Sequence, residues 1–90
     1  MSTCRIPTPL RVYTNGQSVV PVQGPTVSDA LKELIYLHPA LQPHIFQDSG
    51  ELRPFVNLFK GEENISFLQG LKTPVAENDQ LRIIPSIAGG

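Results

Sequence analysis

The stretch that most constrains the fold of this chain is "GPTVSDALKELIYLHP", residues 24–39. Val27, Ala30, Leu31, Leu34 and Ile35 fall at i, i+3, i+4, i+7 and i+8, which places them on one stripe of a helix. Thr26 and Asp29 stand at N-cap and N3 spacing, an acidic relative of the capping box. Pro39 bars His38 from helical angles and ends the helix. A helix with a single apolar stripe must bury it against a second layer. Nine prolines and seven glycines cut the rest of the chain into short elements, so one face of a sheet is the layer expected. A weaker helical turn is expected between Ala40 and Phe46.

Strand signals lie on both sides of this helix. The segment from Thr3 to Val12 is apolar but broken by Pro7 and Pro9, so a strand is expected to end or bulge near Ile6–Thr8. Thr14–Asn15–Gly16–Gln17 holds an Asn-Gly pair, a strong hairpin signal. Ser18 to Val22 reads as the returning strand of an N-terminal hairpin. Beyond the helix, Phe55 to Lys60 is nearly all apolar, as in a strand at least partly covered on both faces. Lys60 to Glu63 forms a turn into a short strand over Asn64 to Phe67, and Thr73 to Gln80 forms a loop. In the last strand Leu81 and Ile83 point one way, Arg82 and Ile84 the other. A hairpin, a crossing helix and a returning C-terminal strand give an α+β fold. Its mixed sheet of four to five strands wraps one main helix, in the β-grasp or ubiquitin-like arrangement. The domain is expected over residues 1–85, with residues 86–90 as a flexible tail.

Ninety residues with 40% apolar and 17% charged side chains fit one small globular domain. Seven Lys and Arg against eight Asp and Glu leave a net charge of -1. No basic run is present, and phosphate-driven binding needs clustered cations, so no nucleic-acid partner is expected. The single cysteine excludes an internal disulfide and suits a reducing compartment. The first ten residues carry no apolar core of signal-peptide length, and no stretch approaches ~18 apolar residues. A cytoplasmic protein with no membrane partner is expected.

The chain closes on "LRIIPSIAGG". Pro85 has no amide hydrogen, so it marks where a ladder stops and an arm begins. Five further residues reach at most about 17 Å, at ~3.3–3.6 Å each. Gly89 and Gly90 lack side chains and fit a channel too narrow for a Cβ. The group at the tip is a carboxylate with an ordinary pKa of about 3.5, ionised at neutral pH. Such a carboxylate can attack the α-phosphate of ATP, and a sulfur nucleophile can displace the resulting acyl-adenylate.

This combination resembles the MoaD/ThiS family of ubiquitin-like sulfur carriers. The family closes on an acidic turn, a strand, a proline, small or apolar residues and Gly-Gly. Here these are Glu77–Asn78–Asp79, then Leu81, Ile83, Ile84, Pro85, Ile87, Ala88, Gly89 and Gly90. "FVNLF", "GLKTPV", "IPT" and "TNGQ" extend the likeness over almost the whole chain. Within the family the chain is similar to the cysteine-biosynthesis carriers through Ile6–Pro7–Thr8, Arg53–Pro54–Phe55–Val56–Asn57 and Ile84 to Gly90. Asn78 replaces the glycine frequent in the acidic turn, and asparagine tolerates left-handed angles. Pro54 intervenes between Arg53 and Phe55, which shifts a strand start.

The resemblance implies a non-enzymatic co-substrate that binds no cofactor itself. A ubiquitin-activating-like adenylating and sulfurtransferase enzyme would consume ATP to activate Gly90, and a sulfur donor would convert it to a thiocarboxylate. Gly89, Ala88 and Ile87 would insert into the partner. The acceptor would be a pyridoxal-phosphate (PLP) cysteine synthase or, in the molybdopterin branch, the large subunit of molybdopterin synthase. A ubiquitin-like protein modifier, joined to lysines, is the other class left open. Ile84, out of phase with the inward residues and next to the tail, is assigned to a partner-binding surface with Arg82 and Phe59. Arg11 and Arg53 are further candidates for acidic residues on a partner. Periodicity alone does not decide between Phe55 and Phe59.

Other chemistry-bearing residues read more simply as structure. Cys4 is expected as a buried or half-buried strand thiol, since reactive cysteines need an electropositive setting. His38 and His44 have no Cys or acidic cluster at ligand spacing, so no metal site is expected. Glu62 and Glu63 occupy an exposed turn, and Asn64–Ile65–Ser66 is a glycosylation sequon without a secretory context.

Overall fold

The computed structural model describes residues 2–54 and 56–85, the last of these by its backbone. Five strands form one sheet: β1 (Ser2–Arg5), β2 (Val19–Val22), β3 (Val56–Lys60), β4 (Glu63–Asn64) and β5 (Gln80–Pro85), in the order β2-β1-β5-β3-β4. β1 pairs antiparallel with β2 and parallel with β5, while β5 pairs antiparallel with β3. The main helix α1 (Val27–Leu37) crosses one face, and a single turn α2 (Gln42–Ile45) follows it. This is the β-grasp arrangement expected from the sequence, with a mixed sheet.

Local chemistry explains the boundaries of α1. The Thr26 hydroxyl accepts from the Asp29 amide at 3.2 Å and donates to the Asp29 carboxylate at 2.9 Å. His38 leaves the helical region at φ -135°, ahead of Pro39. Val27, Ala30, Leu31 and Leu34 are buried and Ile35 half-buried, so the stripe read from spacing is the stripe that packs. It meets Val20 and Val22 of β2, Cys4 and Ile6, Leu58 of β3, and Leu81 and Ile83 of β5 in one core with Leu41, Ile45 and Ile65. Gly24 lets the chain pass close to the helix start: a Cβ there would lie 2.6 Å from the Asp29 Cβ and 2.7 Å from the Ala30 nitrogen.

The N-terminal connection corrects one expectation. β1 and β2 do pair, from Ser2 opposite Val22 to Arg5 opposite Val19, but no tight hairpin joins them. Residues Thr8–Thr14 form a 3-10 helix, and Asn15 and Gly16 end it with φ of 57° and 83°. Pro7 and Pro9 suit the first positions of a helical turn, where a missing amide costs nothing. The Asn-Gly pair therefore caps a helical turn instead of closing a two-residue loop. Pro21, inside β2, sits on the strand's outer edge. Ile6 donates to Ser18, so Ser18, Val20 and Val22 face β1, and Pro21 turns its missing donor toward solvent.

A second correction concerns residues 64–67. The strand there is Glu63–Asn64, and Ile65–Phe67 is a 3-10 turn capped by the Asn64 side chain, which accepts from Ser66 at 2.9 Å. In β3 only Leu58 is fully buried, with Val56, Asn57, Phe59 and Lys60 half-buried. The acidic turn before β5 behaves as expected: Asn78 takes φ 75°, and the Asp79 carboxylate accepts from the Ala76 amide at 2.7 Å.

Leu34→Ala should cost about 2–5 kcal/mol, because the side chain is wholly buried in the core. Thr26→Ala should cost about 1 kcal/mol through loss of the cap. Urea denaturation followed by circular dichroism reads both, with Thr26→Ala the milder.

Candidate protein-docking face

The helix covers one face of the sheet and leaves the other to solvent. Along β5 the side chains alternate: Leu81 and Ile83 are buried, Arg82 is half-buried, and Ile84 is 38% exposed. Ladder register decides which neighbours share the open face. Phe59 of β3 lies opposite Arg82, and Asn57 lies opposite Ile84. The structure thus brings Phe59, Arg82 and Ile84 to one surface. Phe55 lies outside the described residues, as do the tail positions Ile87, Ala88, Gly89 and Gly90.

Arg82 is held in a defined pose. Its guanidinium carbon sits 5.4 Å from the Phe59 ring centroid, within cation–π range, and its Nε donates to the Gly61 carbonyl at 3.1 Å. Ile84 is the last described side chain of β5, one residue before the strand ends at Pro85. Arg11 and Arg53 are already engaged: Arg11 Nε donates to the Ile6 carbonyl at 3.0 Å, and Arg53 Nε donates to the Pro43 carbonyl. Lys60 donates to the Pro74 carbonyl at 2.9 Å and pairs with Asp79 at 3.5 Å.

Alternation read from the sequence could place Arg82 and Ile84 together but could not place Arg5 with them. Arg5 is exposed, and register sets it directly beside Arg82. The available signal was the buried–exposed alternation around Cys4 and Ile6. The further apolar side chains Tyr36 and Phe67 are also exposed, and neither belongs to β1, β3 or β5.

Cys4 is a buried strand thiol, as expected, and burial pushes its pKa up from 9.0 to about 12. His38 closes α1, and His44 stacks on Tyr13 with ring centroids 4.3 Å apart. Among the described residues no group of three or more His, Cys, Asp or Glu converges as a metal site, and no helix is long and apolar enough to cross a membrane.

Comparison with known proteins agrees with the β-grasp fold. The ThiS family model matches residues 4–90. The chain belongs to the ThiS family. This ThiS-family chain is 34% identical over 90 residues to the sulfur carrier protein CysO of Mycobacterium tuberculosis, covering 98% of this chain and 97% of that protein. It is 37% identical over 65 residues to small archaeal modifier protein 1 of Haloferax volcanii, covering 72% of this chain and 70% of the other. Among solved structures it is similar to the Amycolatopsis orientalis BexX/CysO complex, with a TM-score of 0.91 and 31% identity over all of both chains. The family consists of ubiquitin-like sulfur carriers.

Two measurements check the face and the core beside it. Ile84→Asp should shift unfolding free energy by no more than about 1 kcal/mol, whereas Ile83→Asp should cost more than about 4 kcal/mol by burying an unpaired carboxyl. Cys4 contributes a pH dependence. Its folded pKa is raised, so between pH 9 and 12 the unfolded chain binds fewer protons than the folded one. Stability should therefore be level in this term below about pH 8 and fall through that window, by up to about 1.4 kcal/mol per pH unit. Cys4→Ala should remove that component of the slope.

Proposed function

We propose that this chain carries sulfur on its terminal glycine, for cysteine biosynthesis, and has no active site of its own. The Gly90 carboxylate attacks the α-phosphate of ATP on a ubiquitin-activating-like enzyme, releasing pyrophosphate and forming an acyl-adenylate. A sulfide-level nucleophile attacks the carbonyl carbon, AMP departs, and a thiocarboxylate remains. An acceptor enzyme, a pyridoxal-phosphate cysteine synthase working on an activated serine, then takes the sulfur. The observation that carries this reading is the near-full-length likeness to a protein named as the sulfur carrier CysO, in a chain that closes on Gly-Gly.

The domain supplies position. Residues 1–85 act as a rigid body and residues 86–90 as the arm. β5 sits between β1 and β3 at the centre of the sheet, so the arm leaves from a strand anchored on both sides. Phe59, Arg82 and Ile84 form the surface that docks on the partner, while Ile87, Ala88 and Gly89 enter its channel. The likeness to small archaeal modifier protein 1 supports a second reading, in which the same activated glycine is passed to lysines.

Incubation with ATP, sulfide and the cognate activating enzyme should replace one oxygen by one sulfur in the intact mass. Deleting Gly90 should abolish that exchange and leave the thermal midpoint nearly unchanged. Exchange retained in the deletion variant would refute the role given to Gly90. Higher-mass lysine conjugates in cell extract would favour the modifier reading.

A further inference from the structure

One row of outward side chains crosses all five strands: Val19, Arg5, Arg82, Phe59 and Asn64. Its centre holds two guanidinium groups on paired strands, which lie ~4.8 Å apart. Like charges side by side on a sheet repel. Among the described residues neither Arg5 nor Arg82 has a carboxylate partner. The other three cations considered above, Arg11, Arg53 and Lys60, are each satisfied within the fold. Arg82 spends its Nε on Gly61 and its ring-facing surface on Phe59, which leaves its terminal amino groups for a ligand. The Arg5 side chain makes no hydrogen bond among the described residues.

Other charges lie along the same sheet. β1 and β5 run parallel, and register sets Arg5, the last residue of β1, beside Arg82, the third of the six residues of β5. Glu77 and Asp79 precede β5, and Glu62 follows Gly61, whose amide donates to Gln80 at the start of β5. These carboxylates lie near the start of β5, where Lys60 pairs with Asp79. A chain of net charge -1 thus carries a pair of adjacent cations near the middle of its open sheet face.

We propose that Arg5 and Arg82 act together as a two-pronged reader of carboxylates, and that the partner docked on this face presents a pair of acidic side chains bordered by apolar surface. Charge complementarity selects that occupant: the apolar border meets Phe59 and Ile84, and the acids neutralise the arginine pair. The inference rests on the carrier reading above, which supplies the adenylating enzyme as partner. The arginine pair steers this face toward it, an effect that salt screens.

The test is ATP–pyrophosphate exchange by the cognate adenylating enzyme with the full chain, from low salt to about 0.5 M. For the native chain kcat/KM should fall steeply with salt. Arg5→Glu, at an exposed side chain, should lower kcat/KM at low salt by about tenfold, mainly through KM, and flatten the salt dependence. Arg5→Lys should keep most of the rate and the slope. Arg82→Glu should act in the same direction, with its thermal midpoint followed because it also loses the Gly61 contact. Salt-independent kcat/KM in the native chain, or Arg5→Glu equal to native at low salt, would overturn the arginine pair while leaving the carrier reading in place. No exchange by the native chain would overturn the carrier reading and this inference with it.

Discussion

The last strand of the chain is the middle strand of the sheet. β5 pairs with β1 on one side, in parallel, and with β3 on the other, and its inward residues Leu81 and Ile83 lie in the core under α1. Neither the N-terminal pair β1–β2 nor the segment β3–β4 meets the other without it. The two halves become one domain only when the C-terminal strand inserts between them. Parallel pairing requires a crossover, and α1 lies within the chain that spans β1 and β5. The helix stripe and the inward residues of β5 therefore share one core.

That constraint has a functional consequence. Residues 86–90 follow in sequence on a strand with ladder partners on both sides. In the carrier role proposed above, such a strand would set the origin of the terminal segment relative to the sheet's open face. Placement of the residues proposed for docking follows from the same pairing. Arg82 and Ile84 face outward because Leu81 and Ile83 face inward, and Phe59 and Arg5 join them through the register of the two ladders.

Turn chemistry shows how a correct local signal was put to a different use. Asn15–Gly16 adopts the left-handed angles that an Asn-Gly hairpin requires, but it terminates a 3-10 helix that Pro7 and Pro9 start. The buried Thr14 hydroxyl holds this connection, donating to the Gln17 carbonyl at 2.8 Å. Periodicity saw an apolar run to Val12, and the alternative of a helical turn carrying Leu10 into the core has the same composition. At residues 65–67, likewise, the Asn64 cap favours a 3-10 turn over continuation of the strand.

Sequence alone determined the helix, its cap and its stop, the inward set of β5, the β-grasp order and the family likeness. The helix signals and the β5 alternation rest on spacing or covalent chemistry within a few residues, namely 3.6-residue and two-residue periods and a proline without an amide. The likeness rests on motifs spread along the chain. Tertiary structure decided what depends on distant segments meeting. It set Arg5 beside Arg82, laid Arg82 over Phe59, engaged Arg11 and Arg53 with carbonyls of their own fold, and, among the described residues, buried no charged side chain in the core. Register between strands separated by scores of residues has no local signature, so only the assembled sheet could show which side chains share its open face.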